Sequence, residues 1–264
     1  MGSIRKSVSA YIRHRLSVRS KFRLHSPFIY KFWAGILRDS TRYAAYDEIE
    51  KFRKQLLSDE RTINRLDLGA GAEGTSGTFR IVKIKDLARN SAVSASEGKF
   101  LYRLVKDHQP SEILELGTSL GISTLYLAEA APSAKIITME GDEETAALAR
   151  SGFERAGKKN ITVITGNFDD KLQEVLGLMP KPDLVFFDGN HRGDSTLKYW
   201  KECLPHLHAG SVAVLDDIHW SAGMEEAWKH IIGQPEVKVS IDLFHLGVVY
   251  FREELSKEDF VLRF

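Results

Sequence analysis

The chain has 264 residues, 43% hydrophobic and 28% charged, the balance of a soluble globular protein of one large domain with or without a small appendage. No apolar run reaches the roughly 18 residues of a membrane span, the basic N-terminus lacks the apolar core and cleavage site of a secretory signal, and Lys6 stands where a myristoylation motif needs Ser or Thr. With Cys203 as the one cysteine, no internal disulfide forms and a reducing, cytoplasmic setting is expected. The net charge of +1 hides an asymmetry: residues 1–38 carry nine Lys/Arg and no acid, and the remainder carries 28 basic against 36 acidic residues. Such an arm suits nucleic acid, an anionic membrane surface or a partner subunit, or is a solvated terminus.

Along the chain, residues 1–25 space their apolar side chains as a loose amphipathic helix. Ser26-Pro27 reads as a helix start, Ser as N-cap and Pro in the first turn, opening a helix over Phe28–Arg38. A second helix is expected over Tyr46–Ser58, then a Gly-rich loop, Asp67–Gly74, and a helix over Ser96–His108 ended by Pro110. From residue 111 short apolar runs alternate with helical segments. Strands are expected at Ile113–Leu116, Ile136–Met139, Ile161–Ile164, Leu184–Phe187 and Val212–Leu215, with helices near Ser123–Ala130, Glu143–Gly157, Asp169–Leu176 and Ser195–His206. This alternation implies a parallel sheet covered by helices on both faces. After a helix over Ser221–Ile232, strands at Val237–Leu243 and Val248–Phe251 are joined too tightly for a parallel crossover, so they form an antiparallel hairpin. The expected organisation is a mainly helical, basic extension over residues 1–95 and an α/β, Rossmann-like, doubly wound domain over residues 96–264.

Two glycine loops compete for a ligand. Glu115-Leu116-Gly117-Thr118-Ser119-Leu120-Gly121 follows an apolar strand and opens a helix, the setting in which backbone approaches a ligand at a helix N-terminus. Asp67–Gly74 has no helix behind it and reads as a connector or as a lid. Glu140 ends the next strand, where an acid accepts hydrogen bonds from both ribose hydroxyls of a nucleoside. The spacing is Gly-x-x-x-Gly rather than Gly-x-Gly-x-x-Gly, and Glu115 is unwelcome beside a pyrophosphate, so a ligand with positive charge fits better than a dinucleotide.

Between Gly98 and Phe251 the chain resembles the class I S-adenosylmethionine-dependent methyltransferases. The resemblance rests on Ile113–Gly121, Glu140, Gly166-Asn167-Phe168-Asp169, Asp188 and Leu215-Asp216-Asp217. More narrowly, it is similar to the O-methyltransferases that include catechol, caffeoyl-CoA, macrolide-sugar and macrocin-type enzymes. The resemblance implies a seven-stranded sheet closed by the terminal hairpin. It also implies a cofactor site of Glu115, Gly117, Thr118, Ser119, Gly121 and Ser123, with Glu140 and Gly141 at the ribose, Asn167, Phe168 and Asp169 around the adenine, and Asp188 beside them.

Asp188 and the pair Asp216-Asp217 end two strands that emerge at one sheet edge. Three carboxylates there converge on a hard cation such as Mg²⁺, or serve as helix caps and cofactor contacts without a metal. The resembling metal-dependent enzymes place ligands at these positions, commonly with Asn where this chain has Asp217. His191, three residues after Asp188, matches the Asp-x-x-His of the macrolide-sugar enzymes, which implies a general base; the alternative is a loop histidine bonded to Asp188 or Arg192. His219 and Trp220 line the acceptor pocket or serve as packing. Cys203, on an apolar helix face with no base beside it, reads as core. The expected function is methyl transfer to a hydroxyl of a small molecule, with a homodimer as the working assembly. The competing readings are a macromolecular (RNA) methyltransferase docked by the basic arm and a non-catalytic cofactor-binding scaffold.

Overall fold

The computed structural model describes Tyr11, His14, Ser17, Val18 and residues 26–67 and 78–264. The expected amphipathic helix over residues 1–25, much of the basic arm and nearly all of the Asp67–Gly74 loop lie outside the described residues; within that helix Tyr11, His14 and Ser17 have helical backbone. The first fully described helix, α1 (Pro27–Phe32), widens into a π-turn over Trp33–Leu37, where the Arg38 N–H reaches back to the Trp33 carbonyl. Pro27 sits in its first turn as expected, but the Ser26 side chain makes no capping bond. Then follow α2 (Ala44–Leu57), β1 (Thr62–Asp67), β2 (Thr78–Lys83), α3 (Ile84–Asn90) and α4 (Ala95–His108). The ribbon β1–β2 and helix α3 are not foreseen from the sequence. The ribbon buries one face only: the pair Ile63 and Val82 joins the core while Phe79 and Ile81 stay exposed on the other, so its apolar residues give no clear strand pattern.

The remaining elements are β3 (Glu112–Leu116), α5 (Ile122–Ala130), β4 (Lys135–Glu140), α6 (Glu143–Arg155), β5 (Ile161–Thr165), α7 (Phe168–Leu178), β6 (Leu184–Phe187), α8 (Gly193–Cys203), β7 (Val212–Leu215), α9 (Ala222–Ile232), β8 (Val239–Asp242), β9 (Gly247–Tyr250) and β10 (Glu258–Val261). All seven expected strands form one Rossmann-like sheet of order β10-β8-β9-β7-β6-β3-β4-β5. The strands from β3 to β7 are parallel, and β9 lies antiparallel to both β7 and β8, the expected hairpin. An eighth strand, β10, pairs parallel to β8 at the edge; its one buried side chain, Phe260, is too little pattern to announce a strand.

Alternation along the strands sends Ile113, Phe186, Val214 and Val248 to one face and Leu114, Val185, Phe187 and Leu215 to the other. The first face packs against α4, α5 and α6, and α1 and α2 join the same core through Ile29, Phe32, Tyr46 and Ile49. The second packs against α7, α8 and α9 through Leu172, Trp200 and Trp228. Cys203 is fully buried there, as expected, and burial pushes its thiol far up. The chain order reverses beside β3, which has β4 on one side and β6 on the other. That switch opens a crevice at the carboxyl ends of the strands. No helix among the described residues is long and apolar enough to cross a membrane.

Candidate active site

A cavity of about 450 Å³ occupies that crevice. One wall begins at the loop after β3. Gly117 has φ +115°, and a Cβ there would lie 2.1 Å from the Asp188 carbonyl oxygen, so the ends of β3 and β6 approach this closely only with glycine. The Gly117 and Thr118 N–H groups both donate to the Met139 carbonyl (3.0 and 2.9 Å), tying the loop to β4. Gly117 and Ser119 face the cavity. Gly121 instead opens α5 in a left-handed conformation, with its Cα against the Phe153 ring.

Glu140, at the end of β4, lines the cavity with Gly141. Its Oε2 accepts from the Ser119 N–H at 2.8 Å and its Oε1 from the Asp142 N–H at 3.1 Å. Each oxygen keeps a lone pair. Burial raises its pKa, with these two backbone donors opposing.

Glu115 does not reach the cavity. It is fully buried beneath the loop, where Oε2 accepts from Thr124 Oγ1 and Thr138 Oγ1 (2.5 and 2.6 Å) and Oε1 has no partner. Burial pushes its carboxyl up to about 7 against those hydroxyls and Ser123. Thr118 is buried on Thr138 at 2.6 Å. Glu115, Thr118 and Ser123 therefore support the loop from below.

At the head of α7, Asn167 and Phe168 line the cavity, and Asn167 caps the helix by accepting from the Asp169 N–H at 3.1 Å. Asp169 points away, bonded to Lys198 Nζ at 2.9 Å.

The ends of β6 and β7 carry the acids. Asp188 and Asp216 follow the paired residues Phe187 and Leu215 of β6 and β7, so their side chains meet. Single donor atoms of Asp188, His191 and Asp216 lie within 4.8 Å of one another. Asp217 stands on the other side of the histidine: His191 Nε2 is 3.7 Å from Asp188 Oδ1, and Nδ1 is 3.7 Å from Asp217 Oδ2. Both separations exceed hydrogen-bond length, so His191 is bonded to neither Asp188 nor Asp217. Nor do the acids cap α9; Ser221 does, accepting from the Met224 N–H at 3.2 Å. Burial and mutual repulsion raise Asp188 well above the carboxylate range and push Asp216 up to about 8, while burial raises Asp217. Burial holds His191 below the usual imidazole value. Asn190 (φ +66°), His191 (φ +26°) and Asp217 (φ +54°) are all left-handed, backbone strain gathered at one point of the wall.

Several lining residues carry no motif in the sequence. Arg65 and Leu66 arrive from the ribbon, which docks on α6 because the Leu66 N–H donates to Asp142 Oδ1 at 2.8 Å. Residues 90–93 and Glu97 arrive from α3 and α4, with Ser91 Oγ 3.2 Å from Ser119 Oγ. Asn190 and Tyr199 complete the wall near Phe168. Trp220 lines the cavity and is 66% exposed, whereas His219 turns away to Asp242 and Glu225.

Residues 114–218 match the family model described as a methyltransferase domain. The chain is similar to a catechol O-methyltransferase of Mycobacterium tuberculosis, 34% identical over 135 residues, which are 50% of this chain and 60% of that protein. A catechol O-methyltransferase of Niastella koreensis is 33% identical, over 48% of this chain and 58% of its own length. The chain thus spans less than two thirds of these curated relatives. Among solved structures, an O-methyltransferase from Bacillus cereus, in complex with S-adenosylhomocysteine, superposes with a TM-score of 0.56 at 21% identity, over 84% of this chain and 97% of that one. The resemblance to class I O-methyltransferases drawn from the sequence is borne out by these comparisons.

Proposed function

We propose that this protein transfers a methyl group from S-adenosylmethionine to a hydroxyl of a small-molecule acceptor. The observation that carries this reading is the division of one cavity: hydrogen-bond acceptors suited to a nucleoside on one wall, and a convergent acid–histidine cluster on the other. Catechol O-methyltransferases, similar over about half the chain, favour a hydroxylated acceptor.

On the cofactor wall, the lone pairs of Glu140 accept from the ribose hydroxyls, and Gly117 leaves room for the cofactor at the loop. On the other wall, the donor set suits a hard dication, because three carboxyls raised by burial and crowding are relieved by a positive charge among them. Asp188 and Asp216, whose donor atoms converge with one of His191, would hold Mg²⁺, which when bound lowers the pKa of an acceptor hydroxyl; Asp217, expected as a third ligand, stands beyond His191 and outside that group. His191, kept neutral by burial, takes the hydroxyl proton at Nε2 while Asp217 faces Nδ1. The loop and the acid wall hold the two reactants in line, and this alignment lowers the barrier. Residues 1–95 act as a cap in this reading, since residues 90–93 and Arg65 close the cavity over the strand ends.

The test is calorimetric titration of Mg²⁺ into protein saturated with S-adenosylhomocysteine. Binding that is lost in Asp188→Ala and Asp216→Ala supports the carboxylate site; no binding by the unaltered protein overturns it. His191→Ala separates base from ligand. As a base, its loss lowers kcat by about 10²–10⁴ with Mg²⁺ affinity intact; a matching fall in Mg²⁺ affinity makes it a ligand.

A further inference from the structure

The cavity is flanked by two apolar points that the fold leaves in solvent. One is the ribbon. Leu66 lines the cavity and pairs across the ribbon with Phe79, and Asn64 pairs with Ile81, so Phe79 and Ile81 share the outward face beside the rim. They are 63% and 78% exposed. Strand pairing runs through the backbone and asks for an apolar side chain at neither position. The other point is Trp220, which lines the cavity with most of its ring in water. The remaining large apolar side chains exposed among the described residues, apart from Tyr11, lie elsewhere: Tyr30 on α1, Leu178 at the end of α7 and Phe264 beyond β10.

The basic arm is fastened at this same rim. The Tyr11 ring packs edge-on to Phe244 at 5.1 Å, and His14 Nε2 lies 3.2 Å from Asp242 Oδ1. The Phe244 ring in turn stacks on His219 at 5.3 Å, the residue before Trp220. Residues 1–38 carry nine Lys/Arg and no acid, whereas the rest of the chain carries more acid than base. The positive charge therefore belongs to the arm, and Tyr11 and His14 bring the arm beside Trp220. Basic charge next to exposed tryptophan, phenylalanine and isoleucine is the combination that an anionic lipid interface takes up: the charge meets the headgroups and the apolar side chains enter between them. Single-stranded RNA would use the charge and the rings, but it stacks on nothing that Ile81 offers.

We propose that the mouth of the cavity docks on an anionic membrane surface, with the basic arm on the lipid headgroups and Phe79, Ile81 and Trp220 inserted at the interface. Charge and apolar insertion are the two signals that together hold a peripheral protein on a bilayer. The docking does not depend on the reaction proposed for the cavity.

The test is co-sedimentation of the full chain with vesicles of phosphatidylcholine alone or with about 30% phosphatidylserine. Binding to the anionic vesicles should be at least about 10-fold tighter than to the neutral ones, and should weaken by about 10-fold between about 0.1 and 0.5 M salt. Phe79→Thr combined with Ile81→Thr keeps β-forming residues in the ribbon; it should weaken anionic binding by about 10-fold with the thermal midpoint unchanged. Lipids brominated on their acyl chains should quench the tryptophan fluorescence of the bound protein, and Trp220→Phe should lose most of that quenching. Equal binding to both vesicle types, or none to either, overturns the proposal. Anionic binding that survives the paired threonine substitution without quenching also overturns it, leaving a polycationic arm with no docking face. Tighter binding to a single-stranded oligouridylate than to the anionic vesicles, indifferent to the paired substitution, would assign the arm to RNA and overturn it as well.

Discussion

Asp188 and Asp216 face each other across the ends of two adjacent parallel strands, with donor atoms within 4.8 Å, and burial with the repulsion of neighbouring acids raises both, so the pair retains a proton past the ordinary carboxylate range. The unfolded chain releases that proton near pH 4, whereas Asp216 in the folded protein holds it to about pH 8. The folded state therefore binds more protons across this interval, and its stability falls as pH rises through it. Asp216→Asn keeps the shape and removes one charge. Its thermal midpoint should exceed that of the unaltered protein at pH 8, by about 2–4 °C for each kcal/mol of repulsion relieved, with a smaller gain at pH 5. Mg²⁺ should raise the midpoint of the unaltered protein at pH 8 and leave the variant unmoved. A variant no more stable at pH 8 than at pH 5, relative to the unaltered chain, would show that the pair is not repulsive.

Glu115 tests the floor of the loop. Its carboxyl depends on Thr124 and Thr138 and leaves one oxygen without a partner. Thr138→Val preserves volume while removing one donor, and it also strands the Thr118 hydroxyl. Loss of a partner by a buried polar group costs about 1–3 kcal/mol, read as a lowered urea midpoint. The loss should be larger at pH 8 than at pH 5, because Glu115 ionises near 7 and a carboxylate needs the donor more than the acid does. Affinity for S-adenosylhomocysteine should change little, since Glu115 lies below the cavity wall. A large fall in affinity with stability intact would instead make Glu115 a direct ligand contact.

The parts of the molecule legible in the sequence are those where burial imposes a pattern. Leu184–Phe187 and Val212–Leu215 are buried on both faces, and each ends at an acid, so strand, edge and chemistry are written in neighbouring residues. Glu140 and Gly117 are readable for the same reason. The ribbon is not, because Phe79 and Ile81 pair in a sheet without being buried by it. Arg65 and residues 90–93 reach the cavity only because the ribbon and α3 fold over the strand ends, a long-range arrangement with no local signature. Glu115 and Asp169 carry the right residue type at the right spacing, but their partners, Thr138 and Lys198, turn them away from the cavity.

Asp242 joins the end of β8 to two segments distant in the chain. His219 Nε2 lies 2.8 Å from its Oδ2, and His14 Nε2 lies 3.2 Å from its Oδ1. It also accepts from the Phe244 N–H at 2.8 Å in the turn of the hairpin. Bonds from both histidines outweigh burial and hold Asp242 well below the carboxylate range, and bonds to Asp242 and Glu225 raise His219 above the usual imidazole value. The signs set a window. The depressed Asp242 stabilises the fold above about pH 4, with that contribution lost as pH falls through its folded pKa; the raised His219 stabilises below about pH 6.5, with its contribution lost as pH rises through the folded value. Both are present near pH 5–6. Asp242→Asn should therefore lower stability by about 1–3 kcal/mol at pH 6, in the range for hydrogen bonds to charged groups, and by less at a second, higher pH, once the pH has risen through the raised His219 value. Chemical denaturation at the two pH values reads the difference. Equal losses at both would assign the effect to the Phe244 turn contact rather than to the ion pair.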